Sequence, residues 1–184
     1  GYNNSSHASG LLVFDIENGE TIVKLQTSAG TASNPNAMSE LNVIDLNADG
    51  NVDYVYGGDL LGNVWKFDLS SSQSSNWAIA YNANPLFTAK DKHGAVQMIT
   101  GGVLATQEPK TGKVWLFFGT GRYLNVDDPS NNQPQSWYGL IDQSLIKDRT
   151  ELSQRLLTQV DSSRVITEVT ALEDNKKGWF IDLL

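Results

Sequence analysis

Val52, Tyr54 and Tyr56 fall on one face of an extended segment with Asp53 and Val55 on the other, and Val64-Trp65-Lys66-Phe67 alternates in the same way. Successive side chains point to opposite faces of a strand, so a period of two predicts strands in both places. Lys113-Val114-Trp115-Leu116-Phe117-Phe118, after the turn at Thr111-Gly112, predicts a strand covered on both faces. Three segments read as imperfect copies of one unit, a Gly-rich turn paired with a short apolar or aromatic strand that ends near Asp. The first joins Gly1-Tyr2-Asn3-Asn4 to Leu11-Leu12-Val13-Phe14-Asp15-Ile16 and closes at Asn18-Gly19. The second joins Tyr56-Gly57-Gly58-Asp59-Leu60 to Asn63-Val64-Trp65-Lys66-Phe67-Asp68-Leu69. The third joins Phe118-Gly119-Thr120-Gly121-Arg122-Tyr123-Leu124 to Trp137-Tyr138-Gly139-Leu140-Ile141-Asp142, and a fourth strand of the kind, Gly178-Trp179-Phe180-Ile181-Asp182-Leu183, lies near the end.

Gly1, Gly58 and Gly121 stand 57 and 63 positions apart. That is longer than the ~40–50 residues of a compact propeller blade, and inserted loops account for the excess. Residues 70–95 and 125–136, rich in Ser, Asn, Asp, Gln and Pro, read as those loops. Residues 148–160 read as a helix, because Asp148 and Glu151 form a capping box and Leu152, Leu156 and Val160 share one helical face. A blade cannot bury both faces of its sheet alone, and closed propellers stack ~4–8 of them. The expected fold is therefore all-β. Residues 1–184 are expected to form a single domain that is a fragment of a larger modified β-propeller, with about three blades plus a partial one, long loops and one short helix.

Composition narrows the functions available. The 184 residues are 40% hydrophobic, enough for a real core, and no apolar run is long enough to span a bilayer. A formal charge of −8 argues against a nucleic-acid surface, which needs clustered Lys and Arg. The absence of Cys excludes thiolate metal sites, redox dithiols and disulfides. A start at Gly1, with neither Met nor a signal peptide, is read as a piece of a longer chain.

Chemistry concentrates in Asp45-Leu46-Asn47-Ala48-Asp49-Gly50-Asn51-Val52-Asp53. Side-chain oxygens stand at loop positions 1, 3, 5 and 9, and Gly50 permits the sharp turn that brings the Asn51 carbonyl inward. A hard cation that takes 6–8 oxygens at ~2.3–2.6 Å suits this arrangement, so Asp45, Asn47, Asp49, Asn51 and Asp53 are the predicted Ca2+ ligands. Mg²⁺ demands a near-ideal octahedron and fits less well. Tyr56 stands where an EF-hand would carry its bidentate Glu, and the residues after the loop read as strand. Binding is expected without an EF-hand pair, at about 10⁻⁶–10⁻⁴ M. The competing reading is an ordinary Asx-rich hairpin loop, because Asn, Asp and Gly all favour turns.

Other patterns carry less. Gly119-Thr120-Gly121-Arg122-Tyr123-Leu124 opens like a dinucleotide loop, but Leu124 replaces the third Gly and the context is β, so turn packing is the better reading. His7 and His93 lack a second His at metal spacing, and Asp127-Asp128-Pro129 reads as a plain turn. Gly-x-Ser-x-Gly, His-Glu-x-x-His and Walker patterns are absent, and the chain is read as non-enzymatic.

The run from Val43 to Leu69, with the Gly119-Thr120-Gly121-Arg122-Tyr123 turn, the 137–142 strand and the 178–183 strand, resembles the C-terminal domain of the PilY/PilC family of type IV pilus biogenesis and adhesion factors. The resemblance implies a β-propeller related to quinoprotein propellers, with one calcium held by Asp45, Asn47, Asp49, Asp53 and the Asn51 carbonyl. It implies that calcium occupancy governs pilus extension against retraction and surface attachment. It also implies export through the periplasm to the bacterial cell surface, at the pilus tip or outer membrane, with pilins, minor pilins and a host-surface ligand as partners. Two alternatives stay open: a quinone-dependent dehydrogenase propeller, whose blades share the Phe-Asp-x-x-x-Gly rhythm of residues 14–19, and a structural module whose calcium clip supports a carbohydrate- or protein-binding face.

Overall fold

A computed structural model describes residues 7–167 and 170–183. Among these, β1 (Gly10–Phe14) and β2 (Thr21–Gln26) form an antiparallel hairpin. A second sheet runs β3 (Asn42–Ile44), β4 (Tyr54–Gly58), β5 (Asn63–Asp68) and β6 (Ala78–Ile79), with β7 (Phe87–Thr88) also paired to β5. The third sheet is built from β8 (Leu104–Gln107), β9 (Val114–Gly119), β10 (Gln135–Ile141), β11 (Ser153–Val160), β12 (Ser163–Thr167) and β13 (Gly178–Leu183), in the order β12-β11-β13-β10-β9-β8. All its pairings are antiparallel except β11 with β13.

The alternation along β4 and β5 explains how the sheets stack. Tyr56 pairs with Lys66 and Gly58 with Val64, while Val55 pairs with Phe67 and Gly57 with Trp65. Each set occupies one face of the middle sheet. Val55, Trp65 and Phe67 are buried against Leu11 of the hairpin. On the opposite face, Tyr56 and Val64 join Leu116, Phe118, Tyr138, Leu140 and Phe180 of the third sheet in the larger core. Ile99 lies so close over Gly58 that a Cβ there would come within 2.2 Å of it. The middle sheet is thus covered on both faces, and the three sheets stack face to face without closing a ring. The far face of the third sheet carries Trp115, Phe117, Trp137 and Trp179, with the Trp137 ring over Gly119 and the Trp179 ring over Gly139.

Several expectations meet the structure directly. The apolar runs at 11–16, 63–69, 113–118, 137–142 and 178–183 coincide with β1, β5, β9, β10 and β13. The first Gly turn, Gly1-Tyr2-Asn3-Asn4, lies outside the described residues. The two long loops carry short elements of their own: β6, a helical turn and β7 in the first, a 3₁₀ turn at Asp128–Ser130 in the second.

The helix expected at 148–160 is not there. A 3₁₀ turn, Arg149–Glu151, leads at once into β11. The capping residues still act, since the Asp148 carboxylate accepts from Thr150 N at 2.8 Å and Glu151 from Lys147 N at 3.0 Å. The expected apolar stripe, however, is not a core face: Leu152 is buried, whereas Leu156 is 43% and Val160 49% exposed. Pairing on both edges of Ser153–Val160, with β13 and with β12, satisfies its backbone instead.

The single short helix among the described residues is a turn at Ala80–Ala83, and Tyr81, Asn82 and Ala83 all have positive φ (56°, 55° and 60°). Consecutive left-handed residues cost about 1–2 kcal/mol each. The turn delivers the Tyr81 hydroxyl to Asp142 on the neighbouring sheet.

Candidate metal centre

Residues 45–53 form the connection between β3 and β4. The hairpin closes where Asp53 N donates to Ile44 O at 2.9 Å and the Asp53 carboxylate accepts from Leu46 N at 2.8 Å. Within the loop, side-chain oxygens replace the missing ladder partners. Asp45 accepts from Ala48 N through Oδ1 and from Gly50 N through Oδ2, both at 2.8 Å. Asn47 Oδ1 accepts from Asp49 N at 2.8 Å, and Asp49 Oδ1 accepts from the Asn51 backbone N–H at 2.8 Å and its amide at 3.0 Å. Ala48 (φ 59°) and Gly50 (φ 89°) supply the left-handed bends, and the glycine spares the second bend a Cβ penalty. The Asn51 N–H and amide hold the Asp49 carboxyl below the usual carboxylate range, so it stays ionised at neutral pH.

The structure therefore places Asp45, Asn47, Asp49, Asn51 and Asp53 in one tight loop, with Asp45 and Asp53 half-buried and the other three exposed. It does not draw the carboxylates into a ligating cluster: among the described residues, no three acidic or histidine side chains are gathered at metal-holding range. The donor set nonetheless suits a hard cation in kind. Every side-chain donor is oxygen, and a carboxylate or amide oxygen that accepts one N–H keeps a second lone pair.

Strand β4 ties the loop to the rest of the molecule. Asp53 O accepts from Leu69 N at 2.8 Å, at the far end of the β4–β5 pair. The ring of the next residue, Tyr54, lies 3.6 Å beneath the Lys66 ammonium, a cation–π contact. Lys66 Nζ donates at 2.7 Å to Asp142, which also accepts from the Tyr56 hydroxyl at 2.6 Å and from Tyr81. Burial, and then the adjacent Asp142 charge, pushes the Tyr56 phenol well above its ordinary value; burial and its hydrogen bond to Asp142 do the same for Tyr81. Both therefore act as donors throughout the physiological range. The Asp142 carboxylate is itself buried just beyond the end of β10, so this latch joins the middle and third sheets.

A second buried carboxylate stands just past the end of β4. Asp59 accepts from Leu61 N and Asn63 N at 2.9 Å, Asn36 Nδ2 at 2.8 Å, Asn63 Nδ2 at 3.0 Å and Trp65 Nε1 at 2.6 Å. Sequence reasoning assigned no role to Asp59 or Asp142. A lone acid inside the run Gly58-Asp59-Leu60-Leu61-Gly62, with Asn63 and Trp65 close by as donors, is the available signal for the first.

The weaker candidates resolve as structure. Asp128 accepts from Leu124 N at 2.7 Å and Asn125 N at 2.9 Å and lies 2.7 Å from Arg122 Nε, organising the turn after Gly121. His93 sits in an exposed turn held by Asp91.

Stacked, mostly antiparallel sheets that close no ring among the described residues, with a hairpin-borne Asx-rich loop, define a segment of a β-propeller. The chain belongs to the family described as the PilY1 beta-propeller domain, whose family model matches residues 1–168. It is 33% identical over 204 residues to a type IV pilus biogenesis factor PilY1 homolog of Xylella fastidiosa, across all of this chain and 14% of that protein. To the type IV pilus biogenesis factor PilY1 of Pseudomonas aeruginosa it is 32% identical over 161 residues, across 78% of this chain and 14% of that protein. The crystal structure of the P. aeruginosa PilY1 C-terminal domain superposes with a TM-score of 0.86 at 28% identity, across all of this chain and 46% of that one. The chain thus spans a small part of the relatives' length. Among the described residues, no helix is long and apolar enough to cross a membrane.

Proposed function

We propose that this chain is the calcium-responsive propeller segment of a type IV pilus biogenesis factor, without enzymatic activity of its own. The relatives' names support the pilus role, and the loop supports the calcium role. Asp45, Asn47, Asp49 and Asp53 through their side chains, and Asn51 through its carbonyl, are the residues that would hold the ion. Calcium in this loop supplies the positive charge that offsets repulsion among three carboxylates crowded into nine residues. The observation that carries the regulatory reading is the path out of the loop: Asp53 fixes the β3–β4 closure, Tyr54 packs on Lys66, and Lys66 is paired with Asp142 across the sheet boundary. A change in loop order therefore acts on the joint between two blades. Such a two-state surface is what pilus components, pilins or minor pilins, and a host-surface ligand would read at the cell surface during extension and retraction.

Titration calorimetry tests this. The parent chain is expected to bind calcium at about 10⁻⁶–10⁻⁴ M. Asp45→Ala and Asp49→Asn, which leave the Leu46–Asp53 closure intact, each remove one charged ligand and are expected to weaken binding at least tenfold, about 1.4 kcal/mol. Parent-like affinity in both variants would sink the assignment.

A further inference from the structure

The chain is acidic, yet Lys90, Lys92, Lys147 and Arg149, four of its thirteen Lys and Arg residues, line one cleft of about 410 Å³ between the turn after β7 and the 3₁₀ turn before β11. Lys176 adds to the same side, with Nζ 2.8 Å from Thr150 O. Two acids, Asp91 and Asp148, line the same cleft and offset part of this charge, but neither is ion-paired with a lysine. Asp91 Oδ1 is occupied by the N–H groups of His93 (2.8 Å) and Ala95 (3.0 Å), and Asp148 Oδ1 by the N–H (2.8 Å) and hydroxyl (2.5 Å) of Thr150. The ion pairs among the described residues are Lys66–Asp142, Arg122–Asp128, Arg149–Asp182 and Lys177–Glu151, so Lys90, Lys92 and Lys147 are in none of them, and the cleft lining holds four basic groups against two acids.

Beneath them the floor is rigid. Arg149 stacks 3.9 Å over the Phe180 ring and donates to Ser136 Oγ at 2.8 Å, while its buried Nε has no hydrogen-bond partner. Ser136 also accepts from Gln97 Nε2 at 2.8 Å, and Gln97 Oε1 accepts from Tyr138 OH at 2.7 Å, in a fully buried chain of polar groups. A concave site with an excess of positive charge in its lining attracts anions from solution. Lysine ammoniums bind phosphate as point charges, and a phosphate group offers several acceptor oxygens to separate donors.

We propose that this cleft is a binding site for a phosphate-bearing anion, with Lys90, Lys92 and Lys147 as its charged contacts and Arg149, held by Asp182, Ser136 and the Phe180 ring, as its packed floor. The site is separate from the 45–53 loop and does not depend on the pilus or calcium readings.

The test uses the whole chain in metal-free, low-salt buffer with two probes: inorganic pyrophosphate by calorimetry, and vesicles of phosphatidylglycerol against phosphatidylcholine by co-sedimentation. The parent is expected to bind one probe saturably. The K90A/K92A/K147A variant is expected to lose at least about tenfold in affinity, and the triple Lys→Arg variant to retain it. The variant K24A/K110A/K113A makes the same change in net charge elsewhere and is expected to bind as the parent does. Pyrophosphate binding identifies a soluble phosphate ester as the ligand class; binding to phosphatidylglycerol vesicles alone identifies a lipid headgroup. Absence of saturable binding to either probe overturns the proposal. So does a K90A/K92A/K147A variant that binds like the parent, or a loss of equal size in K24A/K110A/K113A.

Discussion

Asp53 and Asp59 flank one strand, six positions apart, and their surroundings show two ways of satisfying a carboxylate's hydrogen-bonding needs. Asp59 is fully buried, and five protein donors replace the water it has lost. Its donors come from two separate chain segments, so the carboxylate holds tertiary structure together. The carboxylates of Asp45 and Asp53 are half-buried and that of Asp49 is exposed, and all three accept only from their own loop. They fold nine residues into a bend and leave lone pairs free for an outside partner. A carboxylate whose needs are met from within is a structural element, and one whose needs are met in part is available for chemistry.

The sharpest break of this contrast is Asp59→Ala. It leaves Trp65 Nε1, the two Asn amides and two backbone N–H groups without their acceptor, and the expected loss of stability is about 3 kcal/mol or more by chemical denaturation. A loss below about 1 kcal/mol would place Asp59 with the loop acids. Gly50→Ala comes next: nothing lies within 4 Å of the added methyl, so the cost is the left-handed backbone alone, about 1 kcal/mol, confined to the loop. Calcium affinity is expected to fall with it while the denaturation midpoint moves little.

The smallest effect belongs to Asp128, a buried carboxylate like Asp59 but in a surface turn. The N–H groups of Leu124 and Asn125, and then Arg122, hold its carboxyl below the ordinary range. A folded-state pKa that is depressed contributes stability fully present above the unfolded value, about 4, and lost as pH falls through the lowered one. Asp128→Asn is therefore expected to lower the melting temperature modestly near neutrality and to flatten the acid limb, so that variant and parent profiles converge as pH falls below about 4.

How much was legible in the sequence depends on where each group finds its partners. The 45–53 loop could be read because its hydrogen bonds join residues two to seven positions apart. Strands β5, β9 and β13 could be read because they carry dense aromatic runs; β5 is covered on both faces, whereas β9, expected to be covered on both, alternates buried and half-buried residues because nothing among the described residues closes over the far face of the third sheet. Thr21–Gln26 and Ser163–Thr167, with little burial, left no such run, and their strand character comes from pairing with β1 and β11. At 148–160 a leucine spacing that fits a helix competed with two open strand edges, and the edges won because they satisfied more backbone. The roles of Asp59 and Asp142 were out of reach, since recognising them requires knowing which distant donors arrive.

That distance shapes how the molecule assembles. Asp142 meets Tyr81, Lys66 and Tyr56 across 61, 76 and 86 positions of chain, so none of these contacts can form during local collapse. Long closures are slow to find, and their entropy is lost before any contact compensates it. The middle sheet and β10 must both be in register for one carboxylate to meet all three donors, so the latch is complete only when two neighbouring sheets are.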